Sequence, residues 1–165
     1  MRLITLAFLA AGPAMADPAT NHSWRFFSDQ VMGGVSSGQA NVDDQGLHLT
    51  GDVSTSNNGG FIQARTEVQG FAAETTGIEI TVRGDGQPYF IHLRTTGTVL
   101  PWQYYQAEFP TTDAWQTVRL PWSAFQASGR LLRDAPRPDT IRSVALVAFG
   151  RDHVADVTLR AFAPY

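Results

Sequence analysis

Apolar and polar residues alternate with a period of two along most of this chain. In "GIEITVRG", Ile78, Ile80 and Val82 fall on one face and Glu79, Thr81 and Arg83 on the other, the pattern of a strand with one buried face. "PYFIHLRT" repeats it, with Tyr89, Ile91 and Leu93 alternating against Phe90, His92 and Arg94. Gly84-Asp85-Gly86-Gln87-Pro88 between them is turn sequence, so the two runs are expected to form a hairpin. Similar runs occur at "SGQANV", "GLHLTGDV", "GGFIQARTEV", "YYQAEF", "WQTVRL", "IRSVALVAF" and "DVTLRAF", separated by Gly, Pro, Asn and Asp clusters. About nine strands at this spacing predict an all-β chain, a β-sandwich or jelly roll. Val144 to Phe149 carries almost no polar residue and should lie mid-sheet, buried on both faces. Helical character is confined to "LPWSAF", where Pro121 can open a single turn. "RLLRDAPRPDT" reads as a long surface connection before the last two strands.

Length and composition bound the rest. At 165 residues, 43% hydrophobic and 16% charged, the chain suits one domain held by apolar burial and not by ion-pair networks. The first residues, "MRLITLAFLAAGPAMA", combine one positive charge, an apolar run too short to span a bilayer, and a small-x-small ending. They predict a signal peptide over residues 1–16, cleaved between Ala16 and Asp17, a single domain over 17–165, and a periplasmic destination. Cysteine is absent, which removes disulfide frameworks, thiol catalysis and thiolate metal sites. All 12 basic residues are Arg, yet the net charge is -3 and no concentrated basic run appears, so nucleic acid is not an expected partner.

Catalytic patterns are weak. Gly34-Val35-Ser36-Ser37-Gly38 matches G-x-S-x-G, but a nucleophile elbow needs a strand feeding a helix, and "QANVDDQGLHL" continues as strand and turn. Asp29, Asp43, Asp44, Asp85 and Asp113 stand in turn-like sequence, where Asp is a turn former; Glu108 is the exception, on a strand among aromatic residues. His22, His48, His92 and His153 are scattered without ligand spacing. No catalytic set, resident metal or cofactor is therefore expected, and a structural calcium at a sandwich edge is left open.

The polar side of the strands is more informative. Phe90, His92 and Arg94 would share a face with Tyr104, Gln106 and Glu108, with Gln63 and Arg65 nearby. Aromatic rings can stack on a ligand while Arg and amide groups supply directional hydrogen bonds, so Arg65, His92, Arg94, Tyr104 and Gln106 form the candidate binding face. The alternative is a solvated outer face with internal ion pairs.

Four blocks, "WRFFSDQVMGGVSSG", "NNGGFIQARTEV", "GIEITVRGDGQPYFIHLRT" and "YYQAEFPTTDAWQTVRLPWSAF", occur in an order that resembles the complex I intermediate-associated protein 30 family. The matching positions are Trp24, Asp29, Val31, Met32, Gly33, Gly34 and Ser36, then Gly59, Gly60, Phe61 and Arg65. Gly84, Asp85, Gly86, Tyr89, Leu93 and Arg94 follow, then Tyr105, Phe109, Trp115, Leu120, Pro121 and Phe125. The resemblance implies a galactose-binding-domain-like jelly roll, with Met32-Gly33-Gly34 as a shaped loop tied down by Asp29 and Ser36. It also implies a non-enzymatic, protein-binding and chaperone-like role in assembly of a membrane complex. The jelly roll and the Trp102, Tyr104, His92 and Arg94 grouping support the alternative, a carbohydrate- or small-ligand-binding module.

Overall fold

A computed structural model describes residues 15–165. Most of the leader expected over residues 1–16 lies outside the described residues. Strand β1 (Asp17–Pro18) begins where the mature chain is expected to start, and it pairs with Phe162 and Ala161 near the C-terminus.

Eleven further strands follow, β2 (Arg25–Ser28), β3 (Ser37–Asp43), β4 (Gly46–Val53), β5 (Phe61–Glu67), β6 (Gly77–Gly84) and β7 (Tyr89–Thr95) in the first half. The second half contributes β8 (Tyr105–Phe109), β9 (Gln116–Pro121), β10 (Gln126–Ala127), β11 (Ile141–Phe149) and β12 (His153–Pro164). They build two six-stranded antiparallel sheets, the first ordered β3-β4-β12-β6-β9 with β1 against β12, the second β10-β8-β7-β11-β5-β2. The fold is an all-β jelly-roll sandwich, as the strand spacing predicts.

The two inner faces meet in one core. Leu47, Leu49, Ile78, Ile80, Val82, Val157 and Leu159 come from the first sheet, and Ile62, Tyr89, Ile91, Leu93, Val144 and Leu146 from the second. Burial of a Leu or Ile side chain contributes roughly 1.5–3 kcal/mol, so these aligned rows are what holds the sheets together. β11 is central in its sheet, and Val144 to Ala148 are buried on both faces, as expected, whereas Phe149 at the strand end is only half-buried. Pro121 precedes a short 3-10 turn at Trp122–Ala124, and the Arg- and Pro-rich segment is a connection before β11.

One expectation is corrected. β6 and β7 do not form a hairpin, because β6 pairs with β12 and β9 whereas β7 pairs with β8 and β11. The Gly84–Pro88 turn instead carries the chain from one sheet to the other. Thr111 fastens it, accepting from the Gly86 N–H at 3.2 Å and donating to the Gln87 carbonyl at 2.7 Å. Both runs have the expected period, but period reports which side is buried and not which strand lies alongside.

Candidate functional site

The outer face of the second sheet collects the candidate residues. Strand register sets Gln106 beside His92, His92 beside Ala145, Ala145 beside Arg65, and Arg65 beside Arg25. The adjacent row runs Glu108, Phe90, Val147, Gln63, Phe27, and on the other side Arg94 lies beside Ser143 and Ser143 beside Glu67. Alternation sends each of these side chains away from the core, because their neighbours in sequence are the buried set. All five candidate residues, Arg65, His92, Arg94, Tyr104 and Gln106, thus reach one surface.

His92 anchors the aromatic part. Tyr104 stacks on it in parallel, centroids 4.2 Å apart, and Phe149 meets it edge-on at 5.8 Å. Its Nε2 is 2.9 Å from Gln106 Oε1, an acceptor, so Nε2 carries the proton. Burial, helped by the Arg65 charge, pushes the imidazole down to about 4 against the opposing Gln106 hydrogen bond. His92 is therefore neutral at neutral pH and serves as a rigid platform for Tyr104.

Arginines dominate the rest. Arg25 and Arg65 lie over the Phe27 ring at 5.3 and 5.2 Å. Arg94 holds the 96–104 loop, donating through Nη2 to the Thr98 and Leu100 carbonyls at 2.8 and 3.0 Å. That loop presents Trp102 with 66% of its surface exposed, and Ser128 Oγ ties its carbonyl at 3.1 Å. Among the described residues no ion pair involves Arg25, Arg65, Arg94 or Arg142. Burial, then the Arg94 and Arg25 charges, push the Arg65 guanidinium below its ordinary value, although it stays charged.

A depression of about 310 Å³ opens here, lined by Arg65, Glu67, Val68, Gln69, Arg94, Arg142 and Ser143. Arg142, Ser143 and Glu67 are not among the residues that sequence pattern singles out. Parity does carry a signal, since Ser143 shares its face with Ala145 and Val147, but naming the neighbours requires the β5-β11-β7 order. A second depression, about 320 Å³, lies on the first sheet among Asp43, His48, Asp85 and Asp156. Two of its carboxylates are partnered: Asp156 bonds His48 at 2.8 Å, and Asp85 accepts from Tyr89 at 3.0 Å.

The Gly-Ser loop is structural. Asp29 is fully buried, and its carboxylate accepts from the Ser36 N–H at 2.9 Å, the Ser36 hydroxyl, and the Gly60 N–H at 2.6 Å. Burial pushes this carboxyl up, but the donors from Ser36, Gly60 and Phe61 outweigh it and hold it below the usual carboxylate value. A Cβ on Gly34 would stand 2.3 Å from Asp29 Cγ, and one on Gly59 would stand 2.3 Å from Asp29 Oδ2, so both positions need glycine for close approach. Gly33, at φ +88°, ends the turn after Met32, whose side chain is exposed. Several other motif positions are built into the fold. Trp24 donates to the Ala19 carbonyl at 2.8 Å, Phe61 follows the Gly60 donor into β5, and Gly84, Asp85 and Gly86 form the crossing turn.

The chain is similar in structure to the family 11 carbohydrate-binding module of a cellulosomal cellulase of Clostridium thermocellum, at TM-score 0.68 and 12% identity over 94% of this chain and 95% of that one. The same module in complex with a β-1,3-1,4-mixed-linked tetrasaccharide gives TM-score 0.61 and 13% identity over 86% and 87%. An agarase gives TM-score 0.56 and 11% identity over 84% of this chain and 22% of that one. At identities this low the likeness is one of fold, a shared jelly roll. Among curated proteins no relative matches the chain. In sequence, the Complex I intermediate-associated protein 30 family matches residues 14–159, a span that takes in the Asp29 knot, the crossing turn and the arginine-bearing face. With most of its length matched in this way, the chain belongs to the complex I intermediate-associated protein 30 family.

Proposed function

We propose that this chain is a non-catalytic binding module that captures a protein partner on the outer face of its second sheet, in a chaperone-like role during assembly of a membrane complex. The observation that carries the reading is the convergence on one surface of arginines without ion pairs and the His92-Tyr104 stack, next to the Arg94-held loop that exposes Trp102. Arg, Tyr and Trp are the residues that dominate the energetics of protein interfaces. Family membership supports the same class. The leader over residues 1–16 would deliver the module to the periplasm, and the pairing of Asp17 into β1 supports a mature chain that starts there.

The test is in-cell crosslinking of the tagged, full-length protein, with captured proteins identified by mass spectrometry. The wild type is expected to recover subunits of one membrane assembly at stoichiometric levels, and Trp102→Ala and Tyr104→Ala to lose them while folding normally. Recovery that is unchanged in both variants refutes capture through this face.

A second reading, a carbohydrate-binding module, is favoured by Tyr104, whose ring lies flat on His92, together with the exposed indole of Trp102. Flat rings of this kind stack on sugars. Quenching of Trp fluorescence by a glycan panel, absent in Trp102→Ala, would favour it over protein capture.

A further inference from the structure

Two buried polar atoms on the outer face of the second sheet have no hydrogen-bond partner, Arg65 Nε and Ser143 Oγ. Both residues line the depression beside β11, and Ser143 is only 6% exposed. An unsatisfied buried donor costs on the order of the desolvation of that group, so two of them around one cavity mark either strain or a missing ligand. The charge around them decides between these. Arg94 and Arg142 border the same depression, and among the described residues neither is ion-paired.

The local backbone builds this arrangement. Between Ile141 and Ser143 the register of β11 against β7 shifts, so Arg142 is the extra residue of a bulge. Bulges of this kind re-aim side chains beside functional sites. Arg142 Nη1 is held by the Asp139 and Ile141 carbonyls at 3.1 and 2.9 Å, and Arg94 Nη2 by its loop carbonyls, so both charges are fixed in place without a counter-ion. Burial and the Arg94 charge both act against the charged form of Arg65, an energetic cost that a bound anion would remove. By contrast, in the depression of the first sheet His48 bonds Asp156, and Asp85 accepts from the Tyr89 hydroxyl.

We infer that the depression framed by Arg65, Arg94, Arg142 and Ser143 is a subsite for a carboxylate of the partner protein, either an acidic side chain or its C-terminus. This deepens the protein-capture reading and rests on it. A guanidinium N–H and a hydroxyl offer the two oxygens of a carboxylate separate donors, the geometry in which such anions bind with directionality. Glu67 on the rim, exposed and outside ion-pair distance of these arginines, favours a monoanion over a doubly charged phosphate.

The test uses the purified mature protein with ¹⁵N-labelled arginine, following the Nε–Hε signals of Arg65 and Arg94. Probes are sodium acetate, an acidic peptide with an amidated C-terminus, its Asn/Gln counterpart, and that counterpart with a free C-terminus. Acetate and at least one carboxylate-bearing peptide are expected to move the Arg65 signal, the neutral amidated peptide to leave it still, and the two peptide arms to say which carboxylate is taken. Arg65→Gln is expected to weaken binding roughly ten- to hundredfold, the range for a charge-assisted contact, and Ser143→Ala to weaken it less. Glu67→Gln should strengthen it.

Equal response to acidic and neutral peptides, or none to any carboxylate, overturns the subsite. A response to inorganic phosphate or glucuronate but to no peptide overturns the assignment to a protein carboxylate. Loss of stability in Glu67→Gln without tighter binding shows that Glu67 is the internal counter-ion, and also overturns it. Should capture in cells depend on Trp102 while every carboxylate is ignored, the subsite falls and the capture reading stands. A charge-specific peptide response with no partner captured supports the subsite and refutes capture.

Discussion

Replacing Asp29 with Asn changes one oxygen for an amide at nearly constant volume, and the surroundings of the carboxylate say what this costs. Four donors converge on it, the Ser36 N–H, the Ser36 hydroxyl and the N–H groups of Gly60 and Phe61. An Asn can place its single oxygen where Asp29 Oδ2 stands, keeping the Gly60 and Ser36 hydroxyl bonds. Its amide then faces the Ser36 N–H, donor against donor, and a buried unsatisfied donor costs roughly 1–3 kcal/mol. The remaining bonds lose charge assistance, which roughly halves their strength. Relief from burying a charge offsets part of the loss. The net expectation for Asp29→Asn is a destabilisation of about 2–4 kcal/mol at neutral pH. Urea unfolding should show it as a lower midpoint with unchanged slope. Thermal unfolding should show a Tm lower by roughly 5–15 °C.

Acidification gives an independent check of the same reasoning. Because the folded-state value of Asp29 lies below the usual carboxylate value, its contribution is fully present above the unfolded value of about 3.9 and is lost as pH falls through the folded one. The gap between wild type and Asp29→Asn should therefore narrow below about pH 4. Wild type and variant agreeing within about 0.5 kcal/mol at neutral pH would refute the account of the knot, since ordinary surface changes already span that range. A gap that stays constant on acidification would show that shape, not charge, holds the loop.

Three further outcomes follow from the same structure. His92 is depressed to about 4, so the unfolded chain binds a proton between about pH 6.5 and 4 that the native state does not. Stability is then fully present above about pH 6.5 and lost on acidification toward 4, by about 3 kcal/mol in total; equilibrium unfolding of His92→Phe across this window should lack that part of the slope, and parallel curves would contradict it. Arg65→Met is expected to leave stability unchanged or raise it by about 1 kcal/mol in urea, because it removes a desolvated charge facing Arg94 and Arg25, and a clear loss would show that Arg65 is structural. Gly34→Ala drives a Cβ into the Asp29 carboxylate and should cost roughly 1–3 kcal/mol by thermal unfolding, whereas Gly86→Ala meets open space and carries only the strain of its φ of +87°.

The candidate site is partly legible in the sequence. Alternation places Phe90, His92 and Arg94 on one side of β7 and Gln106 and Glu108 on one side of β8, and the register confirms that they share a face. The burial of His92 is not legible, because a histidine on the polar side of a strand is expected to meet solvent, whereas here the Tyr104 ring stacks on it and Phe149 meets it edge-on. Arg142 and Ser143 are hidden for a different reason. They precede the apolar run of β11 and read as its solvated start, whereas the bulge and the neighbouring β5 and β7 turn them into the wall of a depression.

By itself the sequence determined the class of the fold, the nine longer strands and the apolar centre of β11, because each depends on local periodicity and on turn chemistry; the short β1, β2 and β10 have too few residues to show a period. Within the first motif, the resemblance to the family implied a loop tied down by Asp29 and Ser36, and the structure has it. Tertiary structure decided which strands became neighbours. Two amphipathic strands joined by a short turn satisfy the same alternation whether they pair in one sheet or face each other across a core, and long-range packing selected the second arrangement for β6 and β7. It also decided where charge went uncompensated. Arg65 and Arg94 are 29 positions apart in sequence, yet β11 lies between their strands, with Arg94 beside Ser143 and Arg65 beside Ala145, and no local pattern predicts a meeting set by sheet order.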